Sequence, residues 1–331
     1  MANDKSMKKF LGILVLMVLL NGCDDGDLKV EAINFDDVAA DDCGEVIYKI
    51  KGNEALFIKI PATWEPFKNE ITAPNTPDVI PIGGDVVVRY RSYNGEVTAN
   101  NLCPNVIQPI FPAATVEWIA SAGSIEITTT AVMSAPDPVT GATKLVKYNH
   151  NIVFKLLKFT KPEGEQFYNE FVFGDYLTDA TALSLDFPAA NARLCPSRST
   201  IYNAKNPAIE AMFIQNIDPS LLSTDNLNVP KRGLISSTIN KLSYRLLTTA
   251  LPLNSNESYF CSSPLPTTPA VNEEWLAEDG IANTSGIIEV TTTTNGPSSF
   301  LHTVRLRGVT FRKGTATFYY GNDILFGEIT D

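Results

Sequence analysis

The sequence predicts an all-β protein made of two tandem, internally duplicated β-sandwich domains with short helical turns. Two observations carry this prediction. Short runs rich in Thr, Val, Ile, Tyr and Phe, which suit pleated and half-buried surfaces, alternate with Pro, Gly and Asn. The same series of motifs also occurs twice in the same order. A β-barrel is the alternative architecture for each copy.

The internal repeat defines the domain organisation. A common order and register over the whole length indicates a duplicated unit. We therefore predict a first domain at residues 28–179 and a second at residues 180–331. The matched motifs are Tyr90-Arg91 with Tyr244-Arg245, Cys103 with Cys261, Glu117-Trp118 with Glu274-Trp275, Glu126-Ile127-Thr128 with Glu289-Val290-Thr291, His150 with His302, and Phe173-Gly174 with Phe326-Gly327.

The predicted elements follow from local pattern. In the first copy we expect strands at residues 46–50, 55–60, 85–93, 125–132, 152–159 and 166–173, and in the second at 303–311, 315–320 and 324–326. Hairpin turns are predicted at 161–164 and 312–314. One or two helical turns are predicted at 115–120 and 272–278, with another at 218–222. The excursion at 136–141 shrinks to 295–297 in the second copy, which predicts a surface loop.

The first 22 residues have the pattern of a secretory leader. Lys8 and Lys9 precede an apolar run of 11 residues at 10–20, and small residues follow. A helix of that length falls well short of the roughly 30 Å hydrocarbon core of a bilayer. Leu20-Asn21-Gly22-Cys23 resembles the lipobox of bacterial lipoproteins. The resemblance implies that residues 1–22 are a signal peptide and that Cys23 carries the lipid.

An acidic tether follows at residues 23–27. Asp24, Asp25 and Asp27 lie directly after Cys23. This run resembles the export signal of surface lipoproteins of the Bacteroidota. The resemblance implies a chain held in the outer membrane by acyl groups such as palmitate on Cys23, facing the outside of the cell. In enteric bacteria an aspartate directly after the cysteine instead favours the inner membrane, and a solvated tether is the plain alternative.

Charge and cysteine content narrow the function classes. The formal net charge is −11, which argues against nucleic acid as a partner because binding the phosphate backbone requires clustered Lys and Arg.

With Cys23 assigned to lipid, four cysteines remain, and three pairings are open to them. Because each copy owns one early and one middle cysteine, the simplest pairing is Cys43–Cys103 and Cys195–Cys261. Neither pair has the C-x-x-C spacing of zinc or redox sites.

The sequence singles out no catalytic residue, no metal ligand and no cofactor. His150 and His302 begin strand segments without Cys, Asp or Glu at ligand spacing, so we expect structural histidines that bond nearby backbone. The acidic pairs at 36–37 and 41–42 could offer oxygen ligands to Ca²⁺, but a solvated acidic loop is favoured because they form no calcium-loop motif.

Aromatic residues are the remaining candidates for ligand contact. Trp118 and Trp275 recur at matching positions, so core packing is favoured for both. Trp64 has no counterpart in the second copy and is the candidate for an exposed contact. Arg91 and Arg245 also recur, which favours an ion pair on a strand face.

The function expected from these features is non-enzymatic. We expect a membrane-anchored cell-envelope lipoprotein that binds or adheres, with a glycan or another envelope protein as its partner. A structural, pilin-like subunit is an alternative, but the first arginine, Arg89, lies too late for a cleavage that would release only an N-terminal strand. An envelope hydrolase is the least favoured alternative because catalytic groups are scarce.

Overall fold

The computed structural model describes residues 33–103, 111–162 and 164–331. The predicted signal peptide, Cys23, the acidic tether and residues 28–32 lie outside the described residues. Residues 36–331 form one compact unit. The chain is mostly β, with two antiparallel, curled sheets, as the sequence predicts. In the described ranges, no helix combines the length and apolar character needed to cross a membrane.

The first sheet belongs to the first copy and has eight strands. Its strands are β1 (Asp41–Asp42), β2 (Val46–Lys51), β3 (Glu54–Lys59), β4 (Asp78–Pro81), β5 (Val87–Tyr93), β6 (Ala114–Met133), β7 (Leu145–Lys161) and β8 (Gly164–Asp179). Their order in the sheet is β1-β2-β3-β5-β6-β7-β8, and β4 pairs with β6. Two 3-10 turns lie at Ala62–Trp64 and Ala99–Asn101.

The second sheet belongs to the second copy and has nine strands. They are β9 (Ala192–Leu194), β10 (Thr200–Ala204), β11 (Glu210–Gln215), β12 (Lys231–Leu234), β13 (Lys241–Leu247), β14 (Val271–Ala277), β15 (Ile287–Thr294), β16 (Phe300–Lys313) and β17 (Ala316–Thr330). Their order is β12-β15-β16-β14-β13-β11-β10-β9, and β17 pairs with β16. A short helix α1 (Asn256–Phe260) and 3-10 turns at Ala189–Asn191 and Pro219–Leu222 complete the copy.

The copies share one strand order, and they differ where β6 is continuous. Strand β6 pairs with β5 through its first part and with β4 through its second. Gly123 lies between the two parts at φ +123°, and an added Cβ there would stand 2.9 Å from the carbonyl oxygen of Lys155. A glycine with neighbouring register shifts lets one strand curl across the fold. In the second copy, two separate strands take the place of β6: β14 pairs with β13, and β15 pairs with β12.

The helical turns predicted at 115–120 and 272–278 are wrong, because these residues form the start of β6 and most of β14. Trp118 lies opposite Tyr90 in the β5–β6 ladder, and Trp275 lies opposite Tyr244 in the β13–β14 ladder. Cross-strand aromatic partners outweigh the weak helix signal of such short segments. The helical turn predicted at 218–222 is confirmed by the 3-10 turn Pro219–Leu222, which the Asp218 side chain caps.

Alternation along the long strands builds the cores. Every second residue of β7 from Tyr148 to Phe154 is buried, and the alternation resumes at Leu157. In the second copy Trp275, Tyr244 and Phe311 are fully buried in one apolar cluster. Burying side chains of this size is the main favourable contribution to folding.

The loop predicted at 136–141 also contacts the other copy. The Thr143 N–H donates to the Tyr319 carbonyl oxygen at 2.8 Å, and the Asn322 N–H donates to the Thr140 carbonyl oxygen at 2.8 Å. The Thr143 hydroxyl also accepts the Tyr319 N–H, at 3.1 Å. The apex of the loop is exposed as expected, but its C-terminal side is a strap that covers β17. We call Thr140–Thr143 the strap.

Candidate functional site

One disulfide lies in each copy. Cys43 is bonded to Cys103 and Cys195 to Cys261, the within-copy pairing that the sequence predicts. The members of the two pairs are 60 and 66 residues apart. Closing loops of this length stabilises the folded chain by about 4 kcal/mol in the loop-entropy model. Disulfides of this kind persist in oxidising compartments.

The repeated arginines and tryptophans form matching structural sets in both copies. Arg91 pairs with Glu117, and its guanidinium lies 5.2 Å from the centre of the Phe57 ring. Arg245 pairs with Glu274 in the same way. The strand-face ion pairs and buried tryptophans that the sequence predicts are therefore present, and these charged groups are engaged in holding neighbouring strands together.

The two histidines are fully buried and bond to threonine hydroxyls. Nδ1 of His150 is 2.8 Å from the hydroxyl of Thr129, and its Nε2 is 2.9 Å from the hydroxyl of Thr178. His302 bonds Thr292 through Nδ1 at 2.9 Å. Their structural role agrees with the prediction, but the predicted backbone partners were wrong. These threonines lie on the neighbouring strands; they engage both nitrogens of His150 and the Nδ1 of His302.

Burial controls the ionisation of both rings. It lowers the pKa of His150 from 6.5 to about 4, because the charged imidazolium would lose its hydration. Burial also lowers the pKa of His302, while the carboxylate of Asp331, 3.6 Å from its Nε2, acts in the opposite direction. Both imidazoles are therefore neutral near pH 7 and are closed to solvent.

The acidic segment before the first disulfide is partly bound to tyrosines. The Tyr48 hydroxyl donates to Asp41 at 3.3 Å, and the Tyr176 hydroxyl donates to Asp42 at 3.0 Å. Burial and the Asp42 carboxylate raise the pKa of Tyr176. Within the described part of the chain, no group of three or more His, Cys, Asp or Glu side chains is arranged to hold a metal ion.

A cleft of about 730 Å³ opens beside the turn that carries Trp64. That volume is typical of small-molecule sites. Ala62 and Glu65, which flank Trp64 in the chain, line the cleft, and Trp64 itself is 49% exposed. The prediction of Trp64 as an exposed aromatic is confirmed by its exposure, while its contact with a ligand stays a prediction.

Polar and aromatic groups share the lining of this cleft. Glu45, Lys68 and Asn69 supply charged and amide groups, while Phe67 and Ile60 supply apolar surface. The ring of Phe67 meets the ring of buried His150 edge-on, with centroids 5.2 Å apart. The buried histidine therefore supports the cleft wall from behind.

Internal contacts fix two charged groups of the cleft. The Glu45 carboxylate accepts the Ala62 N–H at 3.0 Å, which ties β2 to the Trp64 turn. From the second copy, the Lys313 ammonium lies 3.0 Å from a Glu273 oxygen and 5.3 Å from the centre of the Trp275 ring. These groups are positioned in advance and can offer hydrogen bonds to a polar ligand with little loss of side-chain freedom.

Sequence reasoning missed most of the cleft. Its lining comes from positions as distant as Glu45, Phe67 and Lys313, and no local pattern links them. The one available signal was Trp64, which departs from the repeat. In comparisons with known proteins, no family model, no curated protein and no solved structure matches this chain.

Proposed function

We propose that this chain is a lipid-anchored protein of the cell envelope that binds a ligand and does not transform it. The lipid is attached at Cys23 after removal of residues 1–22. The acidic tether at 23–27 directs the protein to the outer membrane and to the cell surface. The disulfides in both copies support this location, because such bonds persist outside the reducing cytosol.

The observation that carries the binding proposal is the cleft beside Trp64. It combines an exposed indole nearby with carboxylate, amide and ammonium groups around the Phe67 ring. Aromatic faces and planar polar groups together suit the ring faces and hydroxyls of a sugar. The two histidines, the usual proton carriers at neutral pH, are buried away from this cleft surface. A glycan is therefore the proposed ligand.

A glycan array probed with the full chain in a non-glycosidic detergent tests this proposal. We expect selective binding that falls at least tenfold in Trp64→Ala. Phe111→Ala is the matched control, because Phe111 is also an exposed aromatic residue but belongs to a segment that contributes no lining residue to the cleft, whereas Trp64 lies between the lining residues Ala62 and Glu65. Absence of binding across a broad panel, or equal binding by the two variants, would contradict the proposed site.

A further inference from the structure

Each copy ends in a long hairpin of the same form, β7–β8 in the first and β16–β17 in the second. The outer edges of β8 and β17 make different contacts. In the first copy, Phe167 of β8 lies opposite Lys158 of β7. In the second, Tyr319 of β17 lies opposite Thr310 of β16. Both ladders meet the hairpin turn in the same register, since Lys161 pairs with Gly164 and Lys313 pairs with Ala316. Phe167 and Tyr319 are thus equivalent positions.

The outer edge of β17 is covered by other parts of the chain. The Tyr319 C=O accepts the Thr143 N–H, and the Tyr319 N–H donates to the Thr143 hydroxyl. Further along, the Asn203 side chain donates to the Phe326 carbonyl oxygen at 2.7 Å. Covering an edge in this way is a common protection against strand addition by another chain.

The equivalent edge of β8 differs at Phe167 and Asn169. Among the residues that the structure describes, no backbone hydrogen bond from outside the β7–β8 pair reaches either position. Because Tyr319 turns its N–H and C=O away from β16, its equivalent Phe167 turns the same groups away from β7. The Phe167 side chain is 62% exposed. The strap that protects β17 comes from the 136–141 excursion, which is shortened in the second copy.

The charge of β8 limits what can pair with it. The strand carries four carboxylates and no Lys, Arg or His. Three of the carboxylates pair with lysines of β7, as in Lys158–Glu165 and Lys155–Glu170. A second copy pairing through β8 would bring together two chains of net charge −11, with no basic residue on either pairing strand, and like charges across a ladder are unfavourable. A neutral or basic strand meets no such repulsion.

The geometry points to the β8 edge as a docking site for an extended, non-acidic segment of a partner protein, added as an antiparallel strand at Phe167 and Asn169. The strap gives a partial precedent, because Thr140 and Thr143 bond the backbone of Asn322 and Tyr319 in antiparallel order without forming a regular strand. Backbone bonds would supply affinity, and the exposed Phe167 ring would supply an apolar contact. This inference goes beyond the proposed glycan site, because the β8 edge contributes no residue to the cleft beside Trp64 and would take a protein partner.

A labelled peptide with the sequence of residues 138–147 of this chain, which contains the strap and two lysines but no acidic residue, is the probe. We expect the full chain in detergent to bind it and hydrogen exchange at Phe167 and Asn169 to slow. Phe167→Pro removes the outward N–H and the Phe167 ring but no hydrogen bond of the β7–β8 ladder, so the ladder survives while binding falls at least tenfold. Phe167→Lys, which keeps the N–H but repels the basic peptide, should bind more weakly than wild type.

Three outcomes would overturn this inference. They are no binding at millimolar peptide, equal binding by the wild type and Phe167→Pro, and a self-association of the full chain that Phe167→Pro abolishes. A peptide in which both lysines become Glu is the charge control and should bind at least tenfold more weakly. Glycan binding through Trp64 should be unchanged in Phe167→Pro, so failure of the edge and failure of the cleft are distinguishable.

Discussion

Lowering the pH from 7 to 5 should destabilise the first copy through His150. The folded chain keeps the pKa of this ring at about 4, whereas the ring has its ordinary pKa of 6.5 in the unfolded chain. Protons therefore bind the unfolded state more strongly over that interval. The stability that the fold gains from holding His150 neutral is fully present above pH 6.5 and is lost as the pH falls towards 4.

The size of the effect follows from the difference in pKa. At about 1.4 kcal/mol per unit, complete protonation would cost about 3.4 kcal/mol of folding free energy. At pH 5 the same linkage gives a loss of about 2 kcal/mol relative to pH 7. Since Phe67 packs on the His150 ring, the cleft wall should loosen over the same interval.

Urea denaturation of the wild type and His150→Gln at pH 7 and pH 5 measures this loss. Glutamine cannot be protonated, so the pH-dependent loss should be about 2 kcal/mol smaller in the variant. His302→Gln is the matched control, and its effect should be smaller because Asp331 opposes the lowering of the His302 pKa. Equal pH dependence in the wild type and His150→Gln would refute the reasoning, as would an NMR titration placing the His150 pKa near 6.5.

Three further predictions concern stability. Replacing Cys195 and Cys261 together by Ser should lower the free energy of unfolding by about 4 kcal/mol, and reductant should cause a larger loss in the wild type because it also opens Cys43–Cys103. Trp275→Ala should lower the free energy of unfolding by about 3–5 kcal/mol because Trp275 is 1% exposed. Trp64→Ala should change it by no more than about 0.5 kcal/mol, because Trp64 lies at the surface. Equal losses for the two variants in denaturation would contradict these placements. Gly141→Ala should lower the free energy of unfolding by about 1 kcal/mol, because Gly141 has φ +71° and the added Cβ would stand 3.2 Å from the Asn322 side chain of β17. An unchanged denaturation midpoint would contradict the contact between the strap and β17.

Features encoded by alternation or repetition were predictable from the sequence. Alternating apolar residues define β7, and the matched cysteines identify both disulfides. The duplicated Glu-Trp motifs marked equivalent positions correctly, but their local windows suggested helical turns. The segment around Trp118 is a strand because Trp118 pairs with Tyr90 in the β5–β6 ladder. A local window does not show this, since Tyr90 lies far from Trp118 in the sequence.

Features that depend on tertiary contact were not predictable. The hydroxyl partners of His150 come from β6 and β8, and the cleft draws on both copies. The strap was expected to be a surface loop because its length differs between the copies. That difference in length corresponds to a difference in contact. In the described part of the chain, the strap bonds the β17 edge, and no backbone hydrogen bond from another segment reaches β8 at Phe167 or Asn169.

The central claim is that a lipid anchored at Cys23 holds this pair of disulfide-bearing β units at the cell envelope. Mass spectrometry of the mature N-terminal peptide tests it most directly. We expect a mature chain that begins at Cys23 and carries covalent acyl groups, and a Cys23→Ala variant that keeps its leader and gains no lipid. A mature chain that begins elsewhere, or an unmodified Cys23, would contradict the account.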